Sequence, residues 1–117
     1  MKRDLDLVRK LLLAVEQEEL KNELFFPVVE AYDVATISYH TDLLQQAGLI
    51  KALDVSDAGG PRWMAGHLTW KGQEFLDACR DQKTWDGAKE KLRREVGFVT
   101  YELLRYVLEE LPKTRLK

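Results

Sequence analysis

Apolar residues recur at spacings of three and four through Leu5, Val8, Leu12 and Val15, with Leu11 beside them. That period predicts an amphipathic helix over residues 4–19. Asp4 and Asp6 stand near its start, where carboxylates suit the positive end of the helix dipole. The pattern then changes. Leu24-Phe25-Phe26-Pro27-Val28-Val29 is rich in strand formers, and its proline restricts it to a short edge strand or an extended link. Asp33 suits the N-cap of a second helix, Val34 to Ala47, closed by Gly48. Val34, Ile37, Leu44 and Ala47 give this helix its apolar face, with Leu43 and Tyr39 alongside. Two strands, Leu49–Val55 and Arg62–Leu68, flank Ser56-Asp57-Ala58-Gly59-Gly60-Pro61 and predict a hairpin with its tip at Asp57–Gly60.

Thr69 opens a third helix that points Phe75 and Leu76 inward, with Ala78 and Cys79 packing nearby. A fourth helix spans Thr84–Glu95 and a fifth Val99–Leu111. Phe98, Tyr101, Leu104, Val107, Leu108 and Leu111 form the buried stripe of the fifth, Pro112 stops it, and Lys113–Lys117 reads as a frayed basic end. Trp70 and Trp85 are expected in the core, packing the C-terminal helices onto the hairpin. The predicted fold is α+β and mainly helical, a winged helix-turn-helix variant with a C-terminal helical extension. The winged-helix domain covers residues 1–81, and the extension over 82–117 packs on the same core.

The stretch from Ala35 to Ile50 carries the functional reading. A helix ending in Leu43-Leu44, then Ala47-Gly48-Leu49-Ile50, and running into a hairpin resembles the recognition helix and first wing strand of winged-helix proteins. Thr36, Ser38, Thr41 and Gln45 are expected to remain outside, where such side chains can hydrogen-bond base edges or simply form a solvated face. Tyr39 and His40 join them as candidate binding residues, His40 as a polar helix-face or interface residue. Trp63, beside Arg62 just past the turn, either grips a phosphate backbone or protein partner or packs across the strands. Two departures weaken the DNA reading: the helix holds Asp42 but no Lys or Arg, and the segment before it leaves room for only a turn or two of helix.

Several motifs together narrow the resemblance: Met1-Lys2-Arg3-Asp4-Leu5-Asp6-Leu7, Tyr39-His40, and above all Leu68-Thr69-Trp70-Lys71-Gly72-Gln73-Glu74-Phe75-Leu76-Asp77. With Arg80-Asp81 and Trp85 following, the chain resembles an uncharacterised domain-of-unknown-function family of small bacterial and prophage proteins, related to the YjcQ-like winged-helix proteins. The resemblance implies a winged-helix fold and a mobile-element origin, and it hands over no activity. It also implies glycine at the position held by Ala31.

Charge and composition sharpen this picture. Residues 1–79 hold 8 Lys/Arg against 13 Asp/Glu, a balance of −5, and residues 80–117 hold 10 against 7, a balance of +3. Attraction to phosphate is therefore expected in the C-terminal third, at Lys89, Lys91, Arg93 and Arg94, unless these form a solvated mixed-charge face with Glu90 and Glu95. Cys79 is the only cysteine, which excludes an internal disulfide and points to the cytoplasm. The start lacks the apolar block of a secretory signal, and no run is apolar for the ~20 residues a bilayer needs. The Gly59-Gly60 pair has no following helix or Lys-Ser/Thr, no nucleophile elbow occurs, and His40, His67 and Cys79 are too scattered for zinc. No enzyme activity, cofactor or metal is expected. The partner is double-stranded DNA, for a phage-type regulator that can dimerise, or a host protein, for an interaction module on the same fold.

Overall fold

A computed structural model describes residues 1–115, so the last two residues of the basic end, Leu116 and Lys117, lie outside the described residues. By its contacts the chain divides into two compact units, Met1–Gln73 and the described residues from Glu74 onward. It is mainly helical with one small antiparallel sheet.

In the first unit, Asp4 caps helix α1 (Leu5–Glu18) by accepting the Leu7 N–H at 3.1 Å. The predicted apolar stripe is buried, from Leu7 and Val8 through Leu11 and Leu12 to Val15. A 3-10 turn (Glu19–Lys21) follows, after which the chain is extended. Phe25 makes a one-residue bridge to Ala65, with N–H to carbonyl distances of 3.0 and 2.8 Å, so the proline-bearing segment is a link rather than a strand. Asp33 caps helix α2 (Val34–Gln46) through the Thr36 N–H, and Gly48, at φ +76°, takes the left-handed turn that launches the hairpin.

Strands β1 (Ile50–Asp54) and β2 (Trp63–Leu68) pair with Ile50 opposite Leu68 and Asp54 opposite Trp63, with one irregularity between Lys51 and Ala52. The tip closes at Asp57 and Gly60 as the turn residues predict. Helices α1 and α2 both pack on this hairpin, which gives the unit its core of Leu12, Ile37, Leu44, Ile50 and Ala65.

The division between the units falls inside helix α3 (Trp70–Cys79). Thr69 caps it by accepting the Gly72 N–H, and a Cβ at Gly72 would overlap the Leu49 carbonyl oxygen. Trp70 corrects the sequence reading: it is 82% exposed, not core. Helix phase explains this, since Gly72, Phe75, Leu76 and Cys79 share the buried face and a residue two places before Gly72 lies roughly opposite.

In the second unit, Phe75 meets Trp85 edge-on at 6.3 Å and Tyr101 at 5.0 Å between ring centroids. Asp81 caps helix α4 (Gln82–Glu95), which buries Trp85, Ala88 and Leu92. Thr100 caps α5 (Tyr101–Arg105), and a π-helical segment (Tyr106–Glu110) leads into α6 (Leu111–Arg115). Helix thus continues past Pro112, contrary to expectation. The Leu111 N–H bonds the Tyr106 carbonyl five residues back, a widened turn immediately before a residue that has no N–H to give. Leu104 and Leu108 are buried as the stripe predicts, but Phe98 is 57% exposed because it lies ahead of the cap, outside the helix that sets the stripe.

Candidate interaction surface

A two-stranded sheet has two open edges, and every main-chain N–H along them needs a partner or water. The polar side chains of α2 provide partners. Ser38 Oγ accepts the Trp63 N–H at 3.2 Å, and Gln45 Oε1 accepts the Ala52 N–H at 2.7 Å. Glu19 Oε1 accepts the Leu68 N–H at 2.8 Å. Ser38, Thr41 and Gln45 stand three and four residues apart, so one stripe of α2 lies against the hairpin. Thr41 turns its hydroxyl back to the Ile37 carbonyl at 2.8 Å.

Ser38, His40 and Thr41 are therefore buried at 3%, 0% and 1% exposure. The expectation that Ser38 and Thr41 remain outside, and that His40 is a face or interface residue, is corrected. The Ser38 hydroxyl answers a strand amide, while the Thr41 hydroxyl is satisfied within its own helix. Gln45 is half-buried and likewise engaged. Thr36 and Tyr39 are half-buried as well, and Tyr39 meets the His40 ring edge-on at 5.3 Å.

His40 joins a network that sequence reasoning missed. Its Nε2 accepts the Asp4 N–H at 2.8 Å, so the ring proton is on Nδ1, which donates to the Thr36 carbonyl at 2.8 Å. Tyr32 donates to Asp4 Oδ2 at 2.7 Å. That hydrogen bond, with desolvation and the charges of Asp4 and Asp6, pushes the Tyr32 phenol up to about 12. The network ties the start of α1 to α2, so it is architectural. Tyr32 sits one residue after Ala31, and no spacing pattern marks a bond across 28 residues.

The exposed surface of this unit has a different character. An open groove of about 490 Å³ lies between the start of α2 and the hairpin tip, lined by Phe26, Val34, Val55, Asp57, Pro61 and Arg62. Phe26 and Val34 are 40% and 55% exposed, and Val28 nearby in sequence is 85% exposed. Arg62 lays its guanidinium over the Phe26 ring at 4.0 Å, and Trp63 is half-buried with its N–H held by Ser38. Helical spacing assigns Val34 to the core, but it is the first residue of α2, where the chain enters from solvent.

The basic residues of the second unit are separately disposed along α4. Lys89 is folded against its own helix, 3.8 Å from Asp86 and 5.8 Å from the Trp85 ring, and Lys91 pairs with Glu95 at 3.0 Å. Arg93 and Arg94 are exposed in the last turn, where cations suit the negative end of the helix dipole. Among the described residues no three His, Cys, Asp or Glu side chains are placed to hold a metal ion, and no helix is long and apolar enough to cross a membrane.

Comparison with known proteins brings relatives without an assigned activity. A family model described as a hypothetical protein, DUF2513, matches residues 2–98. An uncharacterized protein of Haemophilus influenzae is 35% identical over 112 residues, covering 95% of each chain. No solved structure matches.

Proposed function

Since the chain belongs to the DUF2513 family of hypothetical proteins, we propose from its geometry that it is a protein-binding module on a winged-helix scaffold, with α2 in the place of a recognition helix and the hairpin in the place of a wing. The observation that carries this reading is the commitment of Ser38, His40, Thr41 and Gln45 to internal hydrogen bonds. A helix that reads DNA needs such side chains free in the groove and cations beside them. Here the exposed residues near the helix start are Asp33, Val34 and Ala35, and the neighbouring groove is of mixed character, with Phe26, Val34 and Pro61 beside Asp57 and Arg62. A mobile-element origin, which the sequence resemblance implies, suits a factor that engages a host protein. No chemical step belongs to the proposal.

The test has two arms. Fluorescence anisotropy with random and mixed-sequence duplexes should show no saturable binding at low salt. Affinity capture from a bacterial lysate should retain a partner with nuclease present and lose it with Val28→Asp. Duplex binding that falls steeply with salt and disappears when Lys89, Lys91, Arg93 and Arg94 become Glu would instead establish the DNA-binding reading.

A further inference from the structure

The extended link beside β2 is buried and exposed in alternation. Leu24, Phe26 and Val28 are exposed, whereas Phe25 and Val29 are half-buried and Pro27 is buried. Successive side chains of an extended chain point to opposite faces, so the three exposed apolar residues share one face. A Cβ at Gly66 would stand 3.4 Å from Leu24 Cδ2, and Arg62 covers the Phe26 ring. That face therefore runs alongside β2 in the register set by the Phe25–Ala65 bridge.

The main chain alternates too. Phe25 directs both its N–H and its carbonyl at Ala65. In an antiparallel ladder the residues on either side direct theirs the opposite way, so Leu24, Phe26 and Val28 present theirs at the open edge. None of these groups has a partner among the described residues. Pro27 falls opposite Trp63 in the same register, so its missing N–H lies on the covered side, where Ser38 already accepts the Trp63 N–H. The open side keeps every donor and acceptor, and what such an edge accepts is another extended main chain.

We propose that the occupant is a second copy of this chain, joined edge to edge and antiparallel through residues 24–28, with Phe26 on the twofold axis. Phe26 then exchanges N–H to carbonyl bonds with Phe26 of the other copy, and Leu24 does so with the other copy's Val28. The segment itself argues for self-pairing. Left-handed Asn22 and the turn closed by the Tyr32 N–H on the Val29 carbonyl bound it at 23–29, and Phe26 is the midpoint of that span. Its apolar stripe is symmetric about the same residue, as a contact of one patch with itself requires. Glu23 falls opposite Val29, so no like charges meet. Self-pairing goes beyond the protein-binding reading, which concerns a different protein, and stands or falls apart from it.

Sedimentation equilibrium of the full chain should show a mass of 13.6 kDa rising toward twice that value as concentration climbs from micromolar to millimolar. Over the same range amide exchange should slow at Leu24, Phe26 and Val28 and stay as it was at Phe25, which is already bonded to Ala65. Val28→Pro removes an N–H that has no partner among the described residues and keeps an apolar side chain. It should weaken self-association roughly tenfold or more, the scale of the main-chain bonds lost. Val28→Thr keeps the N–H and the β-branched shape and should associate much as the wild type does. A mass that stays at 13.6 kDa throughout, a dimer that leaves those three amides unprotected, or equal association of Val28→Pro and wild type would each overturn the proposal. Protection of the same amides only when a different protein is added would overturn it too, giving the edge to that protein's strand. Should Val28→Pro not fold, the exchange measurement on the wild type decides by itself.

Discussion

Ala31 holds φ +75° on an exposed turn, one residue before Tyr32 extends to Asp4. An L side chain in the left-handed region costs about 1–2 kcal/mol, and glycine escapes most of that at an entropic cost of its own. Ala31→Gly should therefore stabilise the protein by about 0.5–1 kcal/mol in urea unfolding. The glycine implied at this place by the sequence resemblance has a physical basis in that dihedral. The tryptophans divide in the same measurement. Trp85→Ala should cost about 3–5 kcal/mol, since the ring is 1% exposed against Phe75, whereas Trp70→Ala should cost under about 0.5 kcal/mol. Tyr101 is a third case at this scale. Its buried hydroxyl has no hydrogen-bond partner among the described residues, so Tyr101→Phe should leave stability unchanged or raise it by up to about 1 kcal/mol.

At the scale of elements, caps and turns were legible because each is written in a few adjacent residues. Asp4, Asp33 and Thr69 cap the helices that their positions predict, and the Asp57–Gly60 tip falls where the glycines stand. The buried face of α2 was legible at Ile37 and Leu44 but not at Ser38, His40 and Thr41. Its buried stripe is as polar as its exposed one, because the partners of Ser38 and Gln45 are strand amides, and main-chain demand leaves no trace in side-chain hydropathy. Pro112 misled for a related reason: a stop signal was read without the π turn that precedes it. Gly72 marks where elements come closest. Gly72→Ala should cost on the order of 3 kcal/mol in the same unfolding assay, because main chain rather than a flexible side chain stands in the way.

On the scale of the whole molecule, each unit carries one phenol whose proton the folded state holds more tightly than an unfolded chain does. Tyr32 is pushed up to about 12 mainly by its bond to Asp4, and Tyr101 to about 12 mainly by burial. Because both values are raised from 10.0, ionising either phenol destabilises the folded state, so stability is unaffected by these groups below pH 10 and falls as pH climbs toward 12. Unfolding followed by circular dichroism should show stability declining across that window, with a smaller decline in Tyr32→Phe. A decline that is unchanged by both Tyr32→Phe and Tyr101→Phe would assign it to other groups. The charge asymmetry between the two parts of the chain was plain in the sequence. Its consequence was not, since Lys89 and Lys91 are occupied locally along α4.

The account depends most on α2 serving the hairpin rather than an external groove, and amide hydrogen exchange reads that directly. In the wild type the Ala52 and Trp63 N–H groups should be protected. Gln45→Ala should expose Ala52 alone, Ser38→Ala should expose Trp63 alone, and each should cost about 1–3 kcal/mol for the amide left without a partner. If both amides already exchange at unprotected rates in the wild type, or if neither substitution changes them, α2 does not hold the hairpin edge and its polar side chains are free to read a partner.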